Sequence, residues 1–363
     1  MSILIFIAVF SAIVIVHEFG HFIAAKKAGV RVEQFSVGFG PKVIGLKKGG
    51  TEYMLCAFPV GAYVKLAEGN PEESKFQPDE YLAKAVGQRA RIIFFGPLFN
   101  YVLAFICFWF IFLWGFPALT CRVGKVMENY GAEEAGMQAQ DNIIAVDGQK
   151  VEIWEELQEI VQKGSEDQTV TISVLRGNKE LSIPVRIKQK EIDTIWGEKK
   201  TIGIIGIEPE GEITRIRYGP IKSFFQAGGR LLYFTWLTLK SLVWIILGRV
   251  SFRQSITGPL GVFFITKEAA YLGIVPLINV TALISMALAI FNLLPLPVLD
   301  GGNLLFLLIE KIRGRRLSSR TETMIIKVGY SLILLLTIFV FYNDLLRYEV
   351  FTRVSEWWSR FFR

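Results

Sequence analysis

Near its start the chain reads ILIFIAVFSAIVIVHEFGH, residues 3–21. The apolar run predicts a first helix of membrane-spanning length, with a polar motif close to its end. On a helix, positions four apart lie about 40° apart and one turn along, so His17 and His21 face the same point. Two neutral imidazoles in this arrangement can hold one zinc ion, and Glu18 beside them can take a proton from a bound water. The motif therefore predicts a zinc-dependent hydrolytic site within the first helix.

This interpretation competes with a simpler one, because five-residue patterns recur by chance. A single histidine on an apolar face is also more often a core residue than a ligand. Three features favour the metal site. The chain has only 2 histidines, and both lie in the motif. A carboxylate in a membrane-length segment costs roughly 2.5–3.5 kcal/mol on insertion scales, so it is rarely there without a function. A third candidate ligand also follows later in the chain.

The composition indicates a membrane protein that also contains a more polar, non-membrane region. Of its 363 residues 52% are hydrophobic, and the net charge is +7. Because the basic residues form no stripe with interleaved aromatics and lie largely beside apolar segments, we expect no nucleic-acid partner. The 3 cysteines (Cys56, Cys107 and Cys121) are scattered, which excludes a disulfide framework or a cysteine metal cluster. The first segment lacks a basic leader and a small-residue cleavage site, so we interpret it as a retained helix rather than a signal peptide.

The fold class expected is a multi-span α-helical membrane protein with about four transmembrane helices. The expected spans are residues 1–25, 92–116, 275–300 and 324–343, with a tail at 344–363. Basic residues follow the first and third spans, which by the positive-inside bias makes segments 26–91 and 301–323 cytoplasmic and the N-terminus external. Residues 213–274 combine aromatics with recurring lysines and arginines, and are expected to form an amphipathic interfacial segment that does not cross the membrane.

Two regions predict β-structure. Alternating, glycine-punctuated residues 31–66 predict a membrane-associated antiparallel sheet directly after the zinc helix. This sheet is either a surface hairpin or an edge that pairs with an extended peptide. Residues 117–212 have an ordinary soluble composition, with a helix expected at 151–161 and strands at 170–175 and 181–185. They predict an extracytoplasmic α+β domain that resembles a PDZ domain, the alternative being a generic α+β insert.

The third ligand must be a carboxylate or a cysteine, since hydrolytic zinc sites commonly use three protein ligands and no third histidine exists. The strongest candidate stretch is NLLPLPVLDGG, residues 292–302. Its two prolines interrupt the end of a helix. Asp300 at that point is either a helix cap or a zinc ligand, and the histidine motif favours the ligand. Asn100 in the second span is either a helix-packing residue or a site residue.

The two motifs together resemble the site-2 protease family, including the bacterial regulator-of-sigma-E protease and its Gram-positive counterparts. The resemblance extends through GFGP at 38–41, PVGAYVK at 59–65, FGP at 95–97, the PDZ-like region and TGPLG at 257–261. It implies that Asp300 completes the zinc site and that Asn292 and Pro295 hold the substrate strand. The enterobacterial member carries two PDZ domains, whereas this chain has room for one.

The resemblance further implies an intramembrane zinc metalloprotease in the bacterial inner membrane. It would hydrolyse peptide bonds within transmembrane segments, such as those of anti-sigma factors or signal-peptide remnants, in regulated intramembrane proteolysis. Its partners would be single-span substrates, the lipid bilayer and an upstream site-1 type protease.

Two other functions are alternatives to an intramembrane site-2 protease. The prenyl-protein endopeptidases are also membrane-embedded, but their third ligand is typically a glutamate. A PDZ-bearing membrane scaffold with a vestigial metal site would show a broken histidine motif, and here the motif is intact.

Overall fold

The computed structural model describes residues 2–69, 77–193, 199–251, 253 and 256–349. The chain divides into two compact units. The first comprises Met1–Ile111, Ile221–Ile245 and Ser251–Arg363, and the second comprises Phe112–Pro220 and Ile246–Val250. Most of the predicted tail, 344–363, lies outside the described residues.

Helices make up most of the first unit, and strands dominate the second. In chain order the helices are α1 (Ser2–Lys27), α2 (Val86–Trp114), α3 (Gly131–Glu134), α4 (Trp154–Gln162), α5 (Pro220–Ile246), α6 (Pro259–Leu272), α7 (Ile274–Asn292), α8 (Asp300–Arg313) and α9 (Ser319–Arg347), with a 3₁₀ turn at Tyr81–Ala83. The strands are β1 (Val32–Lys48), β2 (Thr51–Leu66), β3 (Phe116–Leu119), β4 (Val123–Val126), β5 (Asn142–Val146), β6 (Gln149–Lys150), β7 (Thr169–Arg176), β8 (Lys179–Arg186), β9 (Lys188–Asp193), β10 (Lys199–Ile204), β11 (Ile207–Pro209) and β12 (Ile213–Ile216).

Four helices among the described residues are long and apolar enough to cross a membrane, namely α1, α2, α7 and α9. This is the number that the sequence predicts. Helices α5 and α6 are not among them. The expectation that residues 213–274 do not cross the membrane stays a prediction. The described part of this segment begins as strand β12 and includes helices α5 and α6.

The third span ends earlier than predicted. Helix α7 stops at Asn292, residues 293–299 are not helical, and Asp300 is the first residue of a new helix, α8. The prediction of one helix over 275–300 was therefore wrong at its end. The physical reason is that Pro295 and Pro297 lack the amide hydrogen that a helix needs, and each disfavours the α conformation in the residue before it.

The segment after Asp300 is likewise more structured than predicted. Residues 301–323 were expected to be a loop, but α8 continues to Arg313 and ends at Gly314, whose φ of 70° is a left-handed helix cap. Helix α9 then begins at Ser319, because the Ser318 hydroxyl accepts the Thr321 amide at 3.2 Å as an N-cap. Hydropathy alone placed this start at 324, since it responds to the apolar run and not to the cap.

The second span also begins earlier than predicted. Helix α2 starts at Val86 rather than at 92, and its first two turns carry Arg89 and Arg91. These charged residues lower the local hydropathy, so a prediction from hydropathy starts the helix after them. The helix ends at Trp114, and the residues from Phe116 already belong to a strand.

Strands β1 and β2 form the predicted sheet. They are joined at Gly49 and Gly50, whose φ values of 57° and 78° are those of a two-residue hairpin turn. The strands then fold back, so that Phe35 has Val64 as partner on one side and Tyr53 on the other. Residues 62–66 pair with β1 on one side and with no other described strand, so they form an edge of this sheet.

The sheet is attached to the first helix through a hydroxyl. Ser11 of α1 is buried and donates to the carbonyl of Pro59 at 2.9 Å. The same hydroxyl accepts the amide of Gly61 at 3.3 Å. These bonds hold the bend of β2 against α1, about 1.7 turns before the histidine motif.

The second unit is the predicted α+β domain. Its four-stranded sheet has the order β6-β5-β7-β8, and the pairs β4–β11, β3–β12 and β9–β10 complete it. Helix α4 buries Trp154 and Leu157 against core residues such as Ile172. The helix and the two strands expected at 151–161, 170–175 and 181–185 are confirmed, each longer or shifted by one to three residues.

An ion pair to a buried carboxylate connects two strands of this second unit. Asp141 is fully buried and accepts two hydrogen bonds from Arg176, at 2.7 and 2.8 Å. Burial raises the pKa of the Asp141 carboxyl, but the bonds from Arg176 and the Gln138 amide outweigh it and hold that pKa below its usual value. The pair joins the start of β5 to the end of β7.

Candidate metal centre

The histidines of α1 and the first residue of α8 meet at one point. The Nε2 atoms of His17 and His21 are 3.2 Å apart. Asp300 Oδ2 lies 3.1 Å from the first and 3.5 Å from the second. Ligands about 2.0–2.2 Å from a tetrahedral zinc ion are about 3.3–3.6 Å from one another. The three separations, 3.1–3.5 Å, therefore come within about 0.2 Å of those of three ligands around one zinc ion.

The carboxylate oxygen of this trio lacks a hydrogen-bond donor. Asp300 Oδ2 is buried and has no aligned partner among the described residues, despite its short distances to both imidazoles. A buried acceptor without a donor costs free energy unless an ion or a water binds there. The donor set of two imidazoles and one carboxylate is one that zinc prefers. The residues thus fit a zinc ion chemically as well as geometrically.

Helix α2 orients both imidazoles from behind. His21 Nδ1 donates to the carbonyl of Ile92 at 2.9 Å. His17 Nδ1 lies 3.3 Å from the amide group of Asn100, which is fully buried. The atom of Asn100 that faces His17 Nδ1 is the amide nitrogen, Nδ2, and the buried Oδ1 has no partner among the described residues. A 180° flip exchanges the two ends of an amide. In the flipped orientation Oδ1 accepts the Nδ1 proton of His17, so that both rings carry their proton on Nδ1 and present an Nε2 lone pair to the metal position. Of the two roles considered for Asn100, this contact favours the site residue.

Glycines permit the close approach of α1 and α2. A methyl group on Gly20 would overlap the carbonyl of Phe95, and one on Gly96 would overlap the ring of His21. Sequence reasoning noted Gly96 only as part of a motif and missed its contact with the histidines. The signal that could have identified it is a glycine-proline pair inside a membrane-length apolar segment, where glycine is costly unless backbones approach closely.

Two more glycines set the position of Asp300. A methyl group on Gly301 would overlap the carbonyl of Leu294, and one on Gly302 would overlap the carbonyl of Leu296. The start of α8 therefore packs directly on the backbone of the proline-containing turn, 293–299. The sequence PLPVLDGG folds Asp300 back toward the histidines through this contact.

Glu18 and Asp300 line one cavity together with His21. The cavity has a volume of about 650 Å³. Glu18 Oε2 accepts the amide of Val64 at 3.1 Å, so the carboxylate stands between the metal position and the outer edge of β2. Its position beside the three candidate ligands is the one that a general base requires.

Two predicted substrate-binding residues are not brought to this cavity. Asn292 is the half-buried last residue of α7, and Pro295 is exposed in the turn that follows. Neither is among the described residues that line the cavity. Their role in holding a substrate stays a prediction.

Comparison with known proteins identifies the family. The sequence model of peptidase family M50 matches residues 5–336. The chain belongs to this family. It is 33% identical over 358 residues to a candidate zinc metalloprotease of Agrobacterium fabrum, with 94% of each chain covered. It is 29% identical over 442 aligned positions to the regulator of sigma-E protease RseP of Escherichia coli, covering 94% of this chain and 98% of that protein.

The family assignment confirms several predictions. As an M50 peptidase the chain is a zinc metalloprotease, a multi-pass membrane protein and a member of the site-2 protease group. The prenyl-protein endopeptidase alternative is thereby wrong.

Among solved structures, the PDZ domain of an SdrC-like protein from Listeria innocua aligns with 26% of this chain and 96% of its own length, at 26% identity and a TM-score of 0.21.

Proposed function

We propose that this M50 peptidase cleaves transmembrane segments of single-span proteins at a zinc ion held by His17, His21 and Asp300. The supporting observation is the trio of ligand atoms, 3.1–3.5 Å from one another, with Glu18 on the same cavity. Zinc bound there acts as a Lewis acid on the scissile carbonyl and lowers the pKa of an attacking water toward neutrality.

Glu18 carries the proton transfers in this proposal. Its Oε2 atom is engaged by the Val64 amide, which leaves Oε1 to accept a proton from the attacking water. The same carboxyl then returns the proton to the amine that leaves when the peptide bond breaks.

The edge of β2 is proposed to hold the substrate in extended form. A helical substrate hides its carbonyls in internal hydrogen bonds, so the scissile region must unwind before attack. Among the described residues, 62–66 form an edge of this sheet, and the Val64 amide within that edge donates to Glu18. A substrate strand paired there would recover the lost backbone bonds and lie next to the base.

The charge pattern supports an active site near the cytoplasmic side of the bacterial inner membrane. Helix α1 ends with Lys26 and Lys27, and α8 ends with Lys311 and Arg313. By the positive-inside bias both ends are cytoplasmic, which makes the N-terminus and the PDZ-like unit extracytoplasmic. Helix α5, with exposed Ile221, Phe225 and Trp236, would lie in the interface with lipid.

The ligand assignment is tested by removing the carboxylate. Asp300→Ala should purify with less than about a tenth of the zinc per chain of wild type and cleave no single-span peptide, because one of three protein ligands is lost. The matched control is Glu33→Ala, which removes a carboxylate from the same cavity that is paired with Lys65 at 2.9 Å. It should keep its zinc. Wild-type zinc content in Asp300→Ala would show that the third ligand lies elsewhere.

The PDZ-like unit is proposed to act as a size filter, which admits only substrates already shortened by an upstream, site-1 type protease. Leu119 and Ile213 are paired partners of β3 and β12, so residues 120–212 can be replaced by an Asn-Gly turn without separating the strand ends. This variant should cleave substrates with long outer domains that wild type rejects, and cleave short-tailed ones as wild type does. Unchanged selectivity in a folded, zinc-loaded variant would contradict the filter.

A further inference from the structure

A second polar cluster lies at the far end of α8 from Asp300. The Arg89 guanidinium, 4% exposed, binds both carboxylate oxygens of Glu310, at 2.5 and 3.1 Å. Arg316 contacts the same carboxylate at 3.4 Å and donates to the carbonyl of Leu82. Arg89 also donates to the carbonyl of Lys84 at 3.1 Å. The cluster joins α2, α8 and the turn before α2, and proton transfer at Glu18 makes no use of it.

The orientation of α8 needs such a connection. The non-helical residues 293–299 separate α8 from α7, so the axis of α7 does not determine the axis direction of α8. Gly301 and Gly302 fix where the helix begins, but contacts at one end leave its tilt undetermined. Asp300, Asn303, Phe306, Leu307 and Glu310 all line the metal-site cavity and so share one face of α8. Ten residues separate Asp300 from Glu310, a distance of about 15 Å along the axis.

The partner of Glu310 stands on the helix that orients the histidines. Arg89, Ile92, Gly96 and Asn100 are spaced by three, four and four residues, and therefore lie along one face of α2. Ile92 holds His21, Asn100 holds His17, and Gly96 contacts both rings. Arg89 reaches the third candidate ligand indirectly, through Glu310 and the length of α8.

We propose that Arg89 and Glu310 form a positioning pair that sets the place of Asp300 in the metal site. One face of α2 then aligns all three ligands with one another. A buried ion pair is weak evidence for a stabilising role, since apolar replacements of similar volume are often as stable. Its two parallel hydrogen bonds fix direction as well as distance, which a hydrophobic contact does not. This inference rests on the zinc assignment proposed above.

The test compares zinc affinity with thermal stability. The variants are Arg89→Met, Glu310→Met and the double variant, each purified as the full chain in detergent. The measurements are the zinc dissociation constant, by competition with a chromophoric chelator, and the midpoint of thermal unfolding. Each single variant should unfold at lower temperature, and the double variant should recover. Glu310→Met leaves the buried Arg89 without its carboxylate, and Arg89→Met leaves Glu310 with only its 3.4 Å contact to Arg316. Zinc affinity should nevertheless stay about tenfold or more below wild type in the double variant.

Controls separate positioning from general stability. Arg176→Met leaves the buried Asp141 carboxylate of the second unit without its arginine, and should lower the unfolding midpoint without changing zinc affinity. Arg89→Lys keeps a charge beside Glu310 but cannot form two parallel bonds, so its zinc affinity should fall between wild type and the double variant. It also serves as the deciding variant if the double variant does not fold.

The outcomes are distinguishable. Wild-type zinc affinity in the double variant, or in Arg89→Lys if that variant decides, would overturn the positioning role. Wild-type affinity in Asp300→Ala, measured alongside, would instead overturn the ligand assignment on which it rests. Reduced affinity in the Arg89 and Glu310 variants, with none in Arg176→Met, supports the pair.

Discussion

Glu18→Gln should abolish peptide cleavage and leave zinc binding intact. Glutamine has nearly the same size and keeps an oxygen for the Val64 amide, so the contact between α1 and β2 persists. It cannot accept a proton from water at neutral pH, and loss of a general base lowers the rate by typically about 10²–10⁴-fold. The measurement is cleavage of a single-span peptide with a short outer tail, alongside zinc per chain.

The two readouts of that experiment have separate meanings. Zinc in both proteins with cleavage by wild type alone would assign Glu18 as the base. Cleavage by Glu18→Gln at the wild-type rate would contradict the assignment. Zinc in both proteins with cleavage by neither would show that the chosen peptide is not a substrate, and the comparison would be repeated with peptides of other sequences.

Gly96→Ala should disable the metal site with a single methyl group. A Cβ atom at this position would overlap the ring of His21 and lie 3.0 Å from Cε1 of His17. Both rings are held from behind by Ile92 and Asn100, so they cannot move away without losing those bonds. A displacement of about 1 Å at a catalytic group can cost about 100-fold in rate. We expect a loss of at least that size in cleavage, together with reduced zinc content.

The same helix offers a matched control for this prediction. Gly87 lies in the first turn of α2, is exposed and has no atom within 4 Å of an added Cβ. Gly87→Ala should therefore retain zinc and activity, and alanine is the better helix former by about 1 kcal/mol. If Gly96→Ala bound zinc and cleaved as Gly87→Ala does, the rings would have more freedom than their contacts indicate.

The sequence predicted the parts of the site that depend on local periodicity. Histidines four residues apart share a helix face wherever the helix lies, so His17, His21 and the adjacent Glu18 follow from spacing alone. The number of membrane-length helices followed from hydropathy in the same way. Asp300 needed more, because a carboxylate after two prolines, taken alone, favours a helix cap. Only its combination with the histidine motif favoured a ligand.

The boundaries in the C-terminal third depended on signals that hydropathy does not carry. The end of α7 at Asn292 is decided by prolines three and five residues later, and α8 by an amphipathic run within a basic segment. The start of α2 was concealed by Arg89, whose charge suggested a loop. In the structure that charge is neutralised by Glu310, 221 residues away in the sequence.

The sequence by itself determined the chemistry of this protein. It established which residue types can hold a zinc ion and move a proton, how many helices can cross a membrane, and where the soluble α+β domain is inserted. Those properties depend on composition and on spacing within one helix or strand, which act over a few residues. The tertiary structure alone decided how the chemistry is assembled: that Gly96 touches the histidines, that Asn100 and Ile92 orient them, and that β2 presents Val64 to Glu18. Contacts between residues distant in sequence depend on how helices pack, and packing is set by the whole set of side chains rather than by any one motif.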